Sequence, residues 1–197
     1  VEPKALSRPH QTDYSFYRGY AYLMMQEYQR AAIYFNQLSK AENRYTTRGT
    51  YYYAYCMYKM QKYEKALPAL QRLENNEEYQ KTIPYYLVQI YYAQGNYDEV
   101  ETRAKTLLRE QPESLNNCEL HRLLGEIYFH KGDYQQAISY LQHYQAETKK
   151  QGLELLRNDM YMLGTAAYKT GEYELAVQSL KQMKQQVDTI SEAACLT

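Results

Sequence analysis

A pattern of about 35 residues repeats along most of the chain and constrains its fold more than any other feature. Five segments align: QEYQRAAIYF, QKYEKALPAL, GNYDEVETRA, GDYQQAISYL and GEYELAVQSL. Each contains an anchor tyrosine at the same position, and these are Tyr28, Tyr63, Tyr97, Tyr134 and Tyr173, at intervals of 35, 34, 37 and 39 residues. Periods of this size are typical of helix–turn–helix units, which bury their apolar faces only by stacking on one another.

The residues around each anchor tyrosine predict a pair of helices. Seven positions after the anchors come Phe35, Leu70, Ala104, Leu141 and Leu180. Nine positions before them come Gly19, Ala54, Val88, Gly125 and Gly164, which are small enough for two helices to approach closely. Apolar residues spaced by three and four positions share one face of a helix. We therefore expect a first helix, a tight turn and a second helix in every repeat.

The turn between the two helices has its own signal. Glycine precedes the anchor by two positions in three repeats, as Gly95, Gly132 and Gly171. A helix that ends in a left-handed residue favours glycine at this point. In the first two repeats Gln26 and Gln61 take its place, so the turn is less certain there. Asn96 and Asp133 come next, and their side-chain oxygens predict N-caps for the second helices.

The repeats divide the chain into five predicted helix pairs. These span residues 13–44, 45–80, 81–114, 115–152 and 153–187. Residues 1–12 contain Pro3 and Pro9 and little periodicity, so we expect a lead-in segment with the first cap at Thr12 or Asp13. Residues 188–197 resemble the opening of another first helix. We expect them to begin a truncated sixth repeat of a longer array.

The pattern resembles the tetratricopeptide repeat family over residues 14–183, most specifically in LLGEIYFHKGDYQQAISYL and MLGTAAYKTGEYELAVQSL. The first two repeats lack the Leu-Gly pair of the family, no repeat has its tryptophan, and only the third has its terminal proline, Pro112. The resemblance implies an all-α fold, a right-handed superhelical solenoid of antiparallel helix pairs. It also implies a non-enzymatic scaffold that binds a protein or an extended peptide.

The composition argues against several other functions. Lys plus Arg and Asp plus Glu number 23 each, so the chain lacks the positive groove that nucleic-acid binding requires. No apolar stretch is long enough to insert into a membrane. The three cysteines, Cys56, Cys118 and Cys195, form neither a disulfide framework nor a metal-binding spacing. No phosphate loop or catalytic motif occurs, so we expect no cofactor, no metal and no catalytic residue.

The tyrosines suggest where a partner binds. The chain has 26 of them, against three phenylalanines and no tryptophan. By resemblance to the family, residues twelve, eight, five and four positions before each anchor line a concave groove. The candidate groove residues are Phe16, Tyr20, Tyr51, Tyr55, Tyr58, Tyr85, Gln89, Tyr92, Arg122, Glu126, Phe129, Tyr161 and Tyr168. Rings in a groove are typical of the centre of an interface.

Two expectations follow from this assignment. Rings such as Tyr51 and Tyr161 should be exposed and contribute little to stability, whereas the anchors Tyr97 and Tyr134 should be largely buried. The alternative is that the groove rings pack against neighbouring helices and bind nothing.

The charged groove residues permit a different interpretation. Arg122, Glu126 and His130 recur every four residues and share a helix face, a spacing compatible with a metal site or acid–base chemistry. No third ligand lies near in sequence, and charge pairs at this spacing commonly stabilise helices. Asparagine is absent from the groove positions, which argues against a clamp for an acidic C-terminus.

Two further hypotheses concern the setting of the chain. The alternative function is a structural spacer or oligomerisation segment of a larger protein. If the array continues past Thr197, we expect an apolar edge that includes Leu180 and Met183 to drive self-association or to be covered by residues 188–197. Tyrosine-rich arrays of this kind also resemble those of bacterial cell-envelope assembly proteins, which points to the periplasm, with the cytoplasm as the alternative.

Overall fold

The computed structural model describes residues 8–153 and 155–182, and within these ranges the regular structure is entirely helical. The helices are α1 (Arg8–Met24), α2 (Tyr28–Lys40), α3 (Thr46–Lys59), α4 (Tyr63–Gln71), α5 (Ile83–Ala93), α6 (Tyr97–Glu110), α7 (Asn117–Lys131), α8 (Tyr134–Lys150) and α9 (Arg157–Thr170). Residues 173–182 are also helical. The all-α class predicted from the repeat is confirmed.

The helices belong to two compact units. Unit 1 extends to Gln94 and contains α1 to α5, and unit 2 begins at Gly95 and contains α6 onwards. In unit 1, each helix packs against the next one in the chain. In unit 2, α6 packs on α7, α7 on α8 and α8 on α9, and α7 also contacts α9. Helices α7 and α9 are the first helices of successive repeats, and contact between such helices is what stacked repeats require.

The core of each unit is built from the apolar face of its helices. In unit 1 the fully buried residues include Phe35, Leu70, Ile83 and Leu87. In unit 2 they include Leu120, Leu123, Leu124, Leu141 and Leu163. A Cβ placed on Gly125 would lie 2.6 Å from Leu141 Cγ, and one on Gly164 would lie 2.8 Å from Leu180 Cγ. The glycines therefore allow the close helix contact expected at these two positions.

The turns between helices adopt the left-handed conformation in every repeat. Gly95, Gly132 and Gly171 have φ of 74°, 78° and 83°, as predicted. Gln26 and Gln61 adopt the same conformation, with φ of 59° and 57°. Asp133 caps α8 by accepting a hydrogen bond from the Gln136 backbone at 3.2 Å. Asn96 occupies the N-cap position of α6 as predicted, but its side chain does not make the expected capping hydrogen bond.

The first helix begins earlier than expected. Residues 8–12 already belong to α1, so neither Thr12 nor Asp13 is its N-cap. Pro9 does not prevent this, because proline is tolerated in the first turn of a helix. Met183 and the segment 188–197 lie outside the described residues, as do residues 1–7.

The expectation that the anchor tyrosines are largely buried is wrong. Tyr97 is 47% exposed, Tyr173 is exposed as well, and Tyr134 is only half-buried. Each anchor is the first residue of its second helix, where it is covered from one side only. A ring five positions earlier provides that cover in several repeats. The Tyr58–Tyr63, Phe129–Tyr134 and Tyr168–Tyr173 ring centres lie 6.2, 5.9 and 6.0 Å apart.

Candidate protein-binding surface

The tyrosines of α3 form the middle of an aromatic surface in unit 1. Tyr51, Tyr55 and Tyr58 are all half-buried and, at spacings of four and three residues, share one face of the helix. Tyr51 stacks on Tyr79, with ring centres 4.4 Å apart and planes 15° from parallel. The rings of Tyr55 and Tyr58 lie 6.0 and 5.0 Å from that of Tyr86 on α5.

The same surface continues onto α1, although one predicted residue lies beneath it. Tyr20 is exposed, and its ring meets that of Tyr52 edge-on at 5.7 Å. Phe16 is only 9% exposed, because Tyr45 stacks on it at 4.1 Å. Phe16 therefore supports the surface from below instead of presenting its ring to a partner. Its ring also lies 6.2 Å from that of Phe35 in the core.

The α5 side of the surface carries Tyr85, Gln89 and Tyr92, all half-buried. The ring of Tyr85 lies 6.4 Å from that of Tyr86. The Nε2 atom of Gln89 is buried and has no hydrogen-bond partner among the described residues. A buried amide donor without an acceptor is unfavourable.

Four tyrosines of this surface were missed by the sequence prediction. Tyr52 and Tyr86 directly follow the predicted Tyr51 and Tyr85, and Tyr45 and Tyr79 precede the first helices of their repeats. A signal for them exists, because Tyr45 and Tyr79 are one repeat of 34 residues apart, as are Tyr52 and Tyr86. Tyrosines that recur with the period of the repeat occupy equivalent places in successive repeats, even when they lie outside the family's groove positions.

Burial raises the pKa of several tyrosine hydroxyls in this surface further above neutral pH. It raises the pKa of Tyr79 to about 12, with the neighbouring Glu78 charge adding to the rise. Burial also raises the pKa of Tyr51 and Tyr86, and the adjacent Tyr51 hydroxyl raises that of Tyr86 further. The surface therefore offers rings and neutral hydroxyls, which both donate and accept hydrogen bonds.

Unit 2 carries a smaller set of predicted residues with a different chemistry. Arg122 donates two hydrogen bonds to Glu119, at 2.9 and 2.8 Å, and one to Glu126 at 3.0 Å. The ring of Phe129, one turn beyond Glu126 on α7, lies 6.4 Å from the ring of Tyr161 on α9. Tyr161 is 48% exposed. The structure thus brings together, on α7 and α9, a charged cluster, the half-buried ring of Phe129 and the exposed ring of Tyr161.

The second ring predicted on α9, Tyr168, is exposed and contacts Tyr173 across the turn. His130 Nε2 lies 4.0 Å from Glu126 Oε1 on the same helix. In the part of the chain that the structure describes, no group of three His, Cys, Asp or Glu residues is arranged to hold a metal ion. The helices of that same part include none that is both long and apolar enough to cross a membrane.

Comparison with protein families identifies the class of repeat. One model of the tetratricopeptide repeat matches residues 85–151, and a second model of the same repeat matches residues 50–77 and 160–187. Together the matched segments cover more than half of the chain. The chain belongs to the tetratricopeptide repeat family, whose members serve as protein-interaction scaffolds.

Solved structures of low sequence identity share the fold. MamA AMB-1 superimposes with a TM-score of 0.71 at 12% identity, over 90% of this chain and 92% of its own. MamA 41-end from Desulfovibrio magneticus RS-1 superimposes with a TM-score of 0.71 at 11% identity, over 90% of this chain and 96% of its own. The apo form of RapI superimposes with a TM-score of 0.69 at 16% identity, over 92% of this chain and 72% of its own. No curated protein sequence shows significant similarity to this one.

Proposed function

We propose that this chain is a non-enzymatic scaffold that binds an extended peptide, or an extended segment of a protein, on the tyrosine face of unit 1. By tyrosine face we mean the partly exposed rings of Tyr20, Tyr51, Tyr55, Tyr58, Tyr85 and Tyr92. The observation that carries the proposal is that partly buried rings link α1, α3 and α5, because Tyr20 on α1 meets Tyr52 on α3, and Tyr55 and Tyr58 on α3 meet Tyr86 on α5.

Contacts between the rings favour binding. A tyrosine held by neighbouring rings has already lost most of its rotational freedom, so a partner loses little further entropy in ordering it. The hydroxyls at the ring edges can donate hydrogen bonds to, and accept them from, the backbone amides of an extended chain. Neighbouring helix axes are about 10 Å apart, so α1 to α5 spans about 20 Å, or about six extended residues.

A random decapeptide library displayed on phage and selected on the purified protein tests the proposal. Peptides that bind are then titrated against wild type, Tyr55→Ala and the control Tyr53→Ala. Tyr53 is also half-buried on α3, but two residues from Tyr55 it points to the opposite side of the helix. We expect Tyr55→Ala to weaken binding at least tenfold and Tyr53→Ala to change it less than twofold. Equal affinities for wild type and Tyr55→Ala would refute the tyrosine face.

A second function is favoured by the same ring contacts. Stacks such as Tyr51 on Tyr79 join α3 to the segment before α5, and a chain rigidified in this way would act as a spacer without a ligand. Val177 and Leu180, exposed on the helical residues 173–182, would supply a surface for self-association. Sedimentation equilibrium of wild type and Val177→Lys checks this alternative, which predicts an oligomer that the substitution dissociates. Location in the cell envelope stays a prediction, to be checked by fractionation of native cells.

A further inference from the structure

Two tyrosines of the first repeat stack on each other across α1 and α2. Tyr22 and Tyr34 have ring centres 5.9 Å apart and planes 19° from parallel, and both are half-buried. They lie six positions before and six after the anchor Tyr28, which are the places of Tyr128 and Tyr140 in the fourth repeat. Tyr128 and Tyr140 also stack, at 5.6 Å and 2°. The two ring pairs are therefore equivalent surfaces of their repeats.

In unit 2 the second helix of the preceding repeat covers this ring pair. Tyr128 is only 7% exposed, and its hydroxyl donates a hydrogen bond to Glu101 of α6. Lys105, one turn further along α6, places its ammonium nitrogen 5.2 Å from the centre of the Tyr128 ring. A similar contact occurs within unit 1, where Gln71 donates a 3.0 Å hydrogen bond to the Tyr91 hydroxyl of the next repeat. A tyrosine at this place thus meets a polar side chain from the helix before it.

Two arginines lie against the ring pair of the first repeat. No helix precedes α1 among the described residues. Arg18 is exposed, and its guanidinium carbon lies 5.5, 6.0 and 5.7 Å from the centres of three rings, those of Tyr14, Tyr22 and Tyr34. Arg30 lies 5.7 Å from the Tyr22 ring and pairs with Glu27 at 2.8 Å. Within the described part of the chain, the charged environment of Arg18 includes tyrosines and no carboxylate, so its charge is available to a partner.

The place of Arg18 in the repeat indicates which kind of helix fits this surface. Ten positions before the anchors, the third to fifth repeats have Leu87, Leu124 and Leu163, which are 0%, 0% and 1% exposed. A helix that covered Arg18 to the same extent would bury a charge, which is costly without a counter-charge. The surface therefore favours a helix that brings a carboxylate over one that is apolar at this place.

We infer that Arg18, Arg30 and the Tyr22–Tyr34 pair form a docking edge for an acidic helix of another protein. That helix lies against the ring pair as α6 does in unit 2. One of its carboxylates accepts hydrogen bonds from the Tyr22 hydroxyl and the Arg18 guanidinium, and such charge-assisted bonds are strong. Ile33, which is 57% exposed and adjacent to Tyr34, adds apolar contact area.

A second copy of this chain is a poorer occupant of the docking edge. In the helical residues 173–182, Val177 takes the place that Glu101 has in α6, and Lys181 lies one turn beyond it. Such a helix brings no carboxylate to Arg18 at that place, and its lysine adds a like charge, which is unfavourable. Charge complementarity therefore favours a different protein.

A phage library of two-helix hairpins, with the outer face of one helix randomised, tests the docking edge. The library is selected in parallel on wild type and on the double variant Arg18→Gln, Arg30→Gln, after thermal melts have shown that both are folded. We expect wild type to yield a family of hairpins that the double variant does not yield, with glutamate or aspartate enriched at one position. The same families from both selections, or no binder, would overturn the inference.

Titrations of a selected hairpin then locate the contact. Replacing its enriched carboxylate by the amide should weaken binding to wild type at least tenfold and to Arg18→Gln less than twofold, and the wild-type loss should shrink as salt is raised. Tyr22→Phe keeps the ring and removes the hydroxyl, so it should weaken binding about tenfold. The control is Arg72→Gln, at another exposed arginine of unit 1, and it should bind like wild type. Equal losses in Arg18→Gln and Arg72→Gln would mean a general charge attraction and no docking edge.

The docking edge does not rest on the proposed function. Tyr20 is two residues from both Arg18 and Tyr22 and points to the opposite side of α1. Tyr55→Ala should therefore leave hairpin binding unchanged, and a tenfold loss there would place the hairpin on the tyrosine face instead. Sedimentation equilibrium tests the remaining occupant, because an oligomer of wild type that Arg18→Gln dissociates would assign the docking edge to a second copy and overturn the inference.

Discussion

Aromatic rings make many of the contacts between neighbouring helices of unit 1, whereas leucines that close on glycines are prominent in unit 2. Eighteen of the 26 tyrosines precede Gly95 and eight follow it. At the close-contact position of the repeat, unit 2 has Gly125 and Gly164, each against a leucine, while unit 1 has Gly19, against Tyr34 and Phe35, followed by Ala54 and Val88. The repeat therefore specifies that two helices pack together, and it leaves open which side chains make the contact.

Tyrosine itself has a different role in each unit. Tyr51 and Tyr86 in unit 1 lie among other rings, and burial dominates their environment. In unit 2, Tyr128 donates a hydrogen bond to Glu101, which also pairs with Lys105 at 2.7 Å and Lys131 at 2.8 Å. A ring layer offers a partner contact area, whereas a charged network already satisfies its own members. This difference is why we assign the main binding face to unit 1.

The largest loss of stability should come from removing the ring of Phe35, which lies beneath the tyrosine face. Phe35 is fully buried and touches both Phe16 and Tyr52. Phe35→Ala should lower the free energy of unfolding by about 3–5 kcal/mol, because the cavity cannot close against stacked rings. Urea unfolding followed by circular dichroism measures it. Ile33→Ala on the same helix, at a side chain 57% exposed, is the control and should change stability by about 0.5 kcal/mol or less. A similar loss in both variants would mean that unit 1 lacks a specific ring core.

The second effect compares one ring from each unit. Tyr51→Ala breaks the 4.4 Å stack on Tyr79 and should cost about 2 kcal/mol. Tyr161→Ala, on an exposed ring of unit 2, should cost about 0.5 kcal/mol. Differential scanning calorimetry of the two variants checks the difference. If Tyr51→Ala has the same melting temperature as wild type, the rings of unit 1 contribute nothing to the stability of the fold and are free for binding, as the sequence indicates.

The third effect concerns the turns. Gln61 holds a left-handed conformation that glycine adopts without strain, so Gln61→Gly should stabilise the chain by about 1 kcal/mol. Gly132→Ala in unit 2 should destabilise it by about the same amount, although a Cβ there meets nothing within 4 Å. Chemical denaturation of both variants measures these changes. Destabilisation by Gln61→Gly would show that the glutamine side chain supports its turn.

The smallest effect is electrostatic and belongs to unit 2. Lys105, Lys131 and Tyr128 hold the pKa of Glu101 down to about 2. Because the folded pKa lies below the ordinary value of about 4.3, the network stabilises the fold above that pH and is lost as pH falls towards 2. Wild type should exceed Glu101→Gln in stability by less than about 1 kcal/mol at pH 6, since the pairs are partly exposed. Unfolding measured from pH 6 to pH 2.5 should show this gap closing. A gap that is constant across this range would contradict the assignment.

Periodicity located the helices well, because burial recurs with the helical period whatever the side chain. It predicted turns through Gly132 and Gly171 and the close contacts of Gly125 and Gly164. Periodicity did not predict which residues are buried by side chains of a neighbouring repeat. Phe16 is buried because Tyr45 lies on it, and that contact joins residues far apart in sequence.

Two other misreadings have similar causes. The anchor Tyr97 is exposed because the first residue of a second helix is covered on one side only. The burial of Asp159 gave no signal at all, because an acidic residue in the first turn of a helix is ordinarily solvated and favoured there.

The ring layer of unit 1 also makes the protein its own optical probe. With no tryptophan to trap excitation, light absorbed by one tyrosine can pass to a neighbour whose ring lies only 4.4 to 6.4 Å away. Each transfer turns the axis of emission, so the fluorescence of the folded chain should be strongly depolarised even when the molecule tumbles slowly. A peptide that inserts between the rings would increase the distances between them and reduce this energy transfer. Emission anisotropy would then report on the state of the layer without any attached dye.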